Sequence, residues 1–403
     1  MLDDPLLPAA RHLFGDDAEA LLRAAVAHAG GQLQHAEAVQ VQHRPGLDLV
    51  VRYEAVVAWG AAAARRETLL AAATTRGAPA GTLPLVADDL EAGVWRYPFD
   101  PALPALERAV TPADGARLEV VAYRPTRRAV VRVTAPHGDV TYRKVVRPSE
   151  APRLVAVHDA LGAAGLPVPA VLHCDEAAGL LTLEGLGGEN LRDRLLGSRT
   201  GWPPVAQLVE LIESVAAVDL GPAAPPARMG LGEATASHAR ALLAILPHEG
   251  PRLDRLTRAV ADLGGPDRRR ARTVQGDLYE AQVMVTGRDV TGLLDLDDVH
   301  LGDPLDDAAV AVAHLHLLRP ASAAHRAHLG RYRRRLRDAL AEAFAPDHAE
   351  LDRRTAAVLV GLATGSFRAQ RRDWQTEARR RLTVADRVLR GGRRHEETLR
   401  VAS

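Results

Sequence analysis

Hydrophobic and polar positions follow three different rhythms along the 403-residue chain. Residues 1–35 read as helix, with alanine and leucine at helical spacing through Asp17 to Ala29. From Val39 to Tyr53 the pattern changes to alternation around Pro45-Gly46, which predicts a β-hairpin. A second hairpin runs from Val121 to Arg132, eighty residues on. Val41, Arg44, Pro45, Val50, Val51 and Arg52 match Val121, Arg124, Pro125, Val130, Val131 and Arg132. Each hairpin precedes a Glu-led segment, from Glu67 and from Glu150, read as helical. Gly/Pro-rich exits follow at Gly77-Ala-Pro79 and Gly165-Leu-Pro-Val-Pro169, and together these features predict a degenerate ββα duplication.

The joint between the copies is proline-rich, from Tyr97-Pro98 to Thr111-Pro112, and places a domain boundary near residue 114. Residues 1–114 then form an extra subdomain. Residues 115–184 form a second β-rich unit, which gains a third strand over Val140–Arg147 and strands near 170–173 and 179–184. After the connector Gly185-Leu-Gly-Gly188 the rhythm is mostly helical, over 205–219, 234–246, 253–263, 305–318, 322–343 and 352–390. A β-rich island, Thr273 to Leu296, interrupts it. The expected fold is α+β and two-lobed, a small sheet lobe against a large helical lobe spanning 185–403.

Composition narrows the classes. Lys plus Arg and Asp plus Glu are both 51, so the basic excess of a general nucleic-acid-binding protein is missing. Cys174 is the only cysteine, which excludes an intramolecular disulfide framework and a Cys-based zinc site. The start, Met1-Leu-Asp-Asp-Pro5, lacks the basic and apolar runs of a signal peptide, and no stretch has the length of a spanning helix. A soluble, cytoplasmic protein with no nucleic-acid or membrane partner is expected. Lys144 is the sole lysine among 51 basic residues. Exposed lysines drift readily to arginine, but a compact ammonium aimed at one point does not, so Lys144 is a candidate functional residue.

The island holds the densest chemistry. Val274-Gln-Gly-Asp277 leads to Gln282 and a short strand, and Val290-Thr-Gly-Leu-Leu-Asp295 leads to Asp297, Asp298 and Gly302-Asp-Pro304. Short strands at 282–285 and 290–294, joined by a Thr-Gly-Arg-Asp turn, should bring Asp277 and Asp295 to one edge. Converging carboxylates suit a divalent cation bound to phosphates, with a base beside the attacking hydroxyl. Residues 273–307 carry nine acids and one arginine, and that surplus suits either metal binding or an amine-bearing acceptor. No Gly-x-x-x-x-Gly-Lys loop and no Gly-x-Ser-x-Gly elbow is present.

Gly276-Asp277 with Gln282, Leu293-Leu-Asp295 and Gly302-Asp-Pro304 resembles the aminoglycoside phosphotransferase family, over roughly residues 115–390. The resemblance implies a protein-kinase-like pair of lobes with ATP and Mg2+ in the cleft and a small-molecule hydroxyl as acceptor. By position, Asp277 would be the catalytic base and Asp295 a magnesium ligand, with Gln282 and Asp297 beside it. Lys144 would pair the α/β-phosphates, with Glu150 holding it in place. Arg127 and Arg128 would contact phosphate from a loop without glycine, and Glu184 to Leu186 would offer backbone groups to adenine. Gln275 stands where that family usually has histidine. Glutamine at 282 and the N-terminal segment are similar to the maltokinase branch of sugar kinases. A catalytically silent pseudokinase is the alternative from another class.

Overall fold

The computed structural model describes residues 4–112, 115–221, 224–225, 228–264, 271–345 and 348–402, with side chains as far as residue 391. Its N-terminal half is built from two five-stranded antiparallel sheets of the same strand order. In the first, β1 (Gly31–Arg44), β2 (Asp48–Trp59), β3 (Arg65–Thr74), β4 (Leu83–Ala87) and β5 (Leu90–Arg96) stand in the order β1-β2-β3-β5-β4. In the second, β6 (Arg117–Arg124), β7 (Arg128–Thr134), β8 (Val140–Val146), β9 (Val171–Asp175) and β10 (Leu180–Glu184) stand as β6-β7-β8-β10-β9.

The repeat extends to hairpin geometry. Arg44 faces Asp48 across the first turn, and Arg124 faces Arg128 across the second. The Leu47 amide donates to Arg44 O at 2.9 Å, and the Arg127 amide donates to Arg124 O at 3.0 Å. Each turn has one residue of positive φ, Gly46 at 71° and Thr126 at 61°. Register coincides one strand further in, where Val50 faces Ala72 and Val130 faces Lys144. The first sheet thus carries alanine where the second carries its lysine.

The segment from Glu67 corrects one expectation, because it is strand β3 and not helix. Alanine-rich sequence favours helix only weakly, and burial on both faces overrides that preference here. Leu69, Ala71 and Ala73 enter a core shared with the helix Ala18–His28 and Phe367. Leu70 and Ala72 point the other way, into a core with Tyr123, Ala129, Val145 and Leu180 of the second sheet. Glu67 keeps a 6% exposed side chain because Arg65 and Arg96 each pair with it at 2.7 Å. The expected helix over residues 1–35 is also shorter: Ala10–Leu13 and Ala18–His28 precede β1.

Beyond residue 190 the chain is mostly helical, around a core of Leu208, Ile212, Leu293, Leu305 and Leu340 among others. The helices Val205–Ala216, Leu231–Ile245, Gly250–Val260, Pro304–Leu317 and Ala323–Phe344 follow the sequence pattern closely. The stretch 352–390 does not form one helix. It divides into His348–Ala363, Gly365–Arg368 and a helix from Trp374, with Gln370 at φ 45° in the break. That break has a packing role: Phe367 meets Phe14 edge-on at 5.5 Å and Trp374 at 5.0 Å, joining the first sheet's core to the helical lobe. No helix among the described residues is long and apolar enough to cross a membrane.

Phe367 is 8% exposed and sits at that junction. Phe367→Ala should lower unfolding free energy by about 3–5 kcal/mol in chemical denaturation, the range for a buried Phe truncation. A loss below about 1 kcal/mol would show that the two halves do not depend on this contact.

Candidate active site

The island folds as two small hairpin-like pairings. β11 (Glu189–Asn190), β13 (Val283–Thr286) and β14 (Asp289–Leu293) form one sheet, while β12 (Arg272–Val274) pairs with β15 (His300–Gly302). Asp277 follows β12 and Asp295 follows β14, so both carboxylates leave strand ends into one space. The loops are cross-braced. Buried Asp307 accepts from the amides of Gln275 at 2.7 Å and Gly276 at 2.8 Å. The Gln275 side chain donates to Leu294 O at 3.2 Å and Asp295 O at 2.8 Å, and its oxygen accepts from the Asp277 amide at 2.7 Å. Gly276 has φ 82°, and a Cβ there would lie 2.4 Å from Asp298 O. Only glycine fits that approach.

Lys144 reaches this space from β8. It is 4% exposed, and its Nζ lies 3.2 Å from Asp295 Oδ1 and in contact with Asp297 Oδ1. Burial works against the ammonium, but Asp297 and Asp295 outweigh it and hold its pKa above the usual lysine value. Asp297 is buried too, and Lys144 and Arg128 overcome that burial to hold its carboxyl well below the usual range. Arg128 puts Nη2 at 2.8 Å from Asp295 Oδ2, while its Nη1 contacts Asp297 Oδ2.

Asp277 behaves oppositely. Burial first, then the negative charges of Asp298 and Asp295, push its carboxyl up to about 7, with Arg124 and Arg128 opposing. A carboxyl raised that far is poised to take up a proton near neutrality.

The remaining residues singled out in the sequence fall as follows. Glu150 closes a 3-10 turn, Pro148–Glu150, with a side chain 46% exposed, and it pairs with Arg153 at 3.4 Å. Lys144 has Asp295 and Asp297 as its ion-pair partners instead, since the proline-led turn leaves Glu150 at the helix start, off the buried face. Arg127 lies at the tip of the β6–β7 turn, where burial and the nearby Arg44 and Arg147 charges lower its pKa. Gln282 donates from Nε2 to Tyr279 Oη at 3.2 Å, and its backbone oxygen accepts from the Leu294 amide at 2.8 Å. Among the described residues its Oε1 takes no hydrogen bond. The Glu184 amide is committed to Ala170 O at 2.9 Å, and Leu186 lies against Gly292.

A cavity of about 520 Å³ opens beside Lys144 and Asp295, lined by Arg124, Arg127, Arg128, Arg147, Arg153 and Arg228 with Glu150, Asp297 and Asp298. A larger cavity of about 680 Å³ in the helical lobe, lined by Arg333, Arg337 and Arg387, holds none of these residues. Three contributors carried no individual signal in the sequence. Arg228 holds Asp298 at 2.6 Å, Arg153 holds Asp297 O at 2.9 Å, and Arg368 lies within electrostatic reach of Asp277 and Arg124.

No cluster of three or more His, Cys, Asp or Glu able to hold a metal stands among the described residues. Two carboxylates and a free amide oxygen still fit Mg2+, which takes one or two protein carboxylates and completes its shell with phosphate and water.

The raised Asp277 carboxyl also sets a stability prediction. Its folded pKa near 7 exceeds the ordinary carboxyl value, 3.8, so the group destabilises the fold increasingly as pH rises between them. Asp277→Asn should therefore raise the melting temperature at pH 8, with the gain shrinking toward pH 4. An equal gain at both pH values, or a loss at pH 8, would contradict the assignment.

The model of the phosphotransferase enzyme family matches residues 111–343, more than half of the chain. No curated protein matches it. Among solved structures, a type I macrolide 2'-phosphotransferase is similar at 15% identity and TM-score 0.46, covering 70% of this chain and 95% of its own. A thermostable mutant of an aminoglycoside phosphotransferase is similar at 18% identity and TM-score 0.49, with 68% and 94% covered. The macrolide 2'-phosphotransferase of Brachybacterium faecium follows at 16% identity and TM-score 0.40, with 70% and 98% covered. The matched region contains Lys144, Asp277, Gln282, Asp295 and Asp297, and on that match the chain belongs to the phosphotransferase enzyme family.

Proposed function

We propose that the protein is an ATP- and Mg2+-dependent kinase that moves the γ-phosphoryl group to a hydroxyl of a small molecule. The observation that carries this reading is the meeting of Lys144 with Asp295 and Asp297 beside the raised carboxyl of Asp277. Asp277 orients the acceptor hydroxyl and takes its proton as the oxygen bonds to the γ-phosphorus and the bond to ADP breaks. Lys144 steadies the phosphates that stay with ADP, and Arg127 meets them from the β6–β7 turn. Asp295, Asp297 and Gln282 would hold magnesium, which supplies charge neutralisation when bound. With the Glu184 amide already taken, the backbone of Leu186 is left to meet adenine. Asp295 and Asp297 do for Lys144 what Glu150 was expected to do.

Acceptor class follows from where the island's acids go. Glu280 pairs with Arg192, Asp298 with Arg228, and Asp303 and Asp306 with Arg354. Asp307 is spent on backbone amides, so the surplus of carboxylates does not form an open acidic mouth. Among the island's other described acids, an amine-bearing acceptor would find only Asp277 and the exposed Asp289 without an arginine or lysine partner. That favours a neutral sugar, as in the maltokinase-like reading, over an aminoglycoside or amino sugar. Gln275 supports turnover over a silent pseudokinase, because its amide braces both the catalytic and the metal loop.

ADP release measured over a panel of neutral sugars, amino sugars and aminoglycosides tests the reading. Asp277→Ala should lower turnover on the active acceptor by at least about 100-fold. The acid limb of kcat/KM should have its midpoint at about 7. ADP release by the variant at the wild-type rate, or magnesium-dependent ATP binding with no turnover on any acceptor, would reject it.

A further inference from the structure

We propose that Arg128 takes the place of one of two divalent cations, so that this enzyme holds its nucleotide with a single metal ion. The inference rests on the nucleotide binding proposed above.

Arg128 was expected to reach phosphate, yet the structure turns it onto the metal-binding carboxylates. Its guanidinium spans Asp295 Oδ2 at 2.8 Å and Asp297 Oδ2. Lys144 takes Oδ1 of both residues. Every carboxylate oxygen of the pair therefore carries a protein cation, and two positive charges balance two negative ones. A guanidinium is a planar fork, permanently charged and weakly hydrated, which suits it to bridging two carboxylates. The Arg128 side chain is 14% exposed, so water competes little for it.

Two divalent ions on one triphosphate would each need protein oxygens. A carboxylate oxygen already bound to one cation keeps a single lone-pair direction. With one direction left on each oxygen of this pair, a second ion would have to displace Arg128 or Lys144 from it. The neighbouring Arg127 makes no ion pair among the described residues, and stays available to phosphate. The fixed charge of Arg128 thus supplies at the carboxylates what a second ion would bring.

Mn2+ is the probe, counted by electron paramagnetic resonance on the full chain saturated with a non-hydrolysable ATP analogue. One Mn2+ per bound nucleotide is expected for the wild type and for Arg127→Gln. Two, with spin–spin coupling between them, are expected for Arg128→Gln. Two coupled ions in the wild type would overturn the proposal, as would one ion in Arg128→Gln with nucleotide retained. If Arg128→Gln does not fold, the wild-type count decides. A wild type that retains no analogue at all would overturn the kinase reading and this inference together, whereas a retained analogue with two ions overturns this inference alone.

Discussion

Four side chains drawn from two lobes, Lys144, Arg128, Asp295 and Asp297, form the interaction on which the site depends. The two cations, on β7 and β8, lie more than 150 positions from the two acids on the loop after β14. Taking such charges out of water costs several kcal/mol per ion, which only close pairing offsets, so the arrangement holds only if all four meet. Lys144 and Asp297 illustrate this, since burial opposes both charged forms and the partners outweigh it. Burial, together with the charges of Asp298 and Asp295, raises the neighbouring Asp277 carboxyl to about 7 against the pull of Arg124 and Arg128. One set of residues thereby fixes permanent charge in place and keeps a neighbour ready to exchange a proton.

The quartet stays in register because uncharged groups hold the loops that carry it. Asp307 and Gln275 tie the start of the Asp277 loop to the start of the Asp295 loop. On the other side, β7 and β8 are held by a core shared with the first sheet, through Val50, Leu70 and Trp95. The first sheet repeats the second in strand order and hairpin register but has Ala72 at the lysine position. It packs behind the sheet that carries Lys144 and gives it support. Phe367 carries that support across to the helical lobe, three residues before the positive-φ residue that breaks the C-terminal helix.

Much of the site could be read from the chain because short spacings encode it. Asp277, Gln282 and Asp295 flank two strands of four and five residues, so local geometry alone brings them together. The single lysine was legible from composition, and both hairpins from alternation around a turn. What stayed hidden depends on partners distant in sequence. Strand β3 reads as helix because only contact with two cores reveals that alternate residues face opposite ways. Glu150 is near Lys144 in sequence, but a proline-led turn leaves it half-exposed with Arg153. Arg128 has a phosphate-loop position, and nothing in the chain announces that its target lies 167 residues away. The 352–390 stretch reads as helix throughout, and the break around Gln370 is seen only in the structure, where Phe367 packs against Phe14 and Trp374.

The central claim is that Lys144 and Asp297 stabilise each other across the lobes. A double-mutant cycle of Lys144→Met and Asp297→Asn, read as unfolding free energy, tests it most directly. Mutual dependence predicts a coupling energy of about 1–3 kcal/mol, with the double variant losing less than the sum of the single losses. Additivity within about 0.5 kcal/mol would contradict the claim, and with it the account of how the lobes build the site.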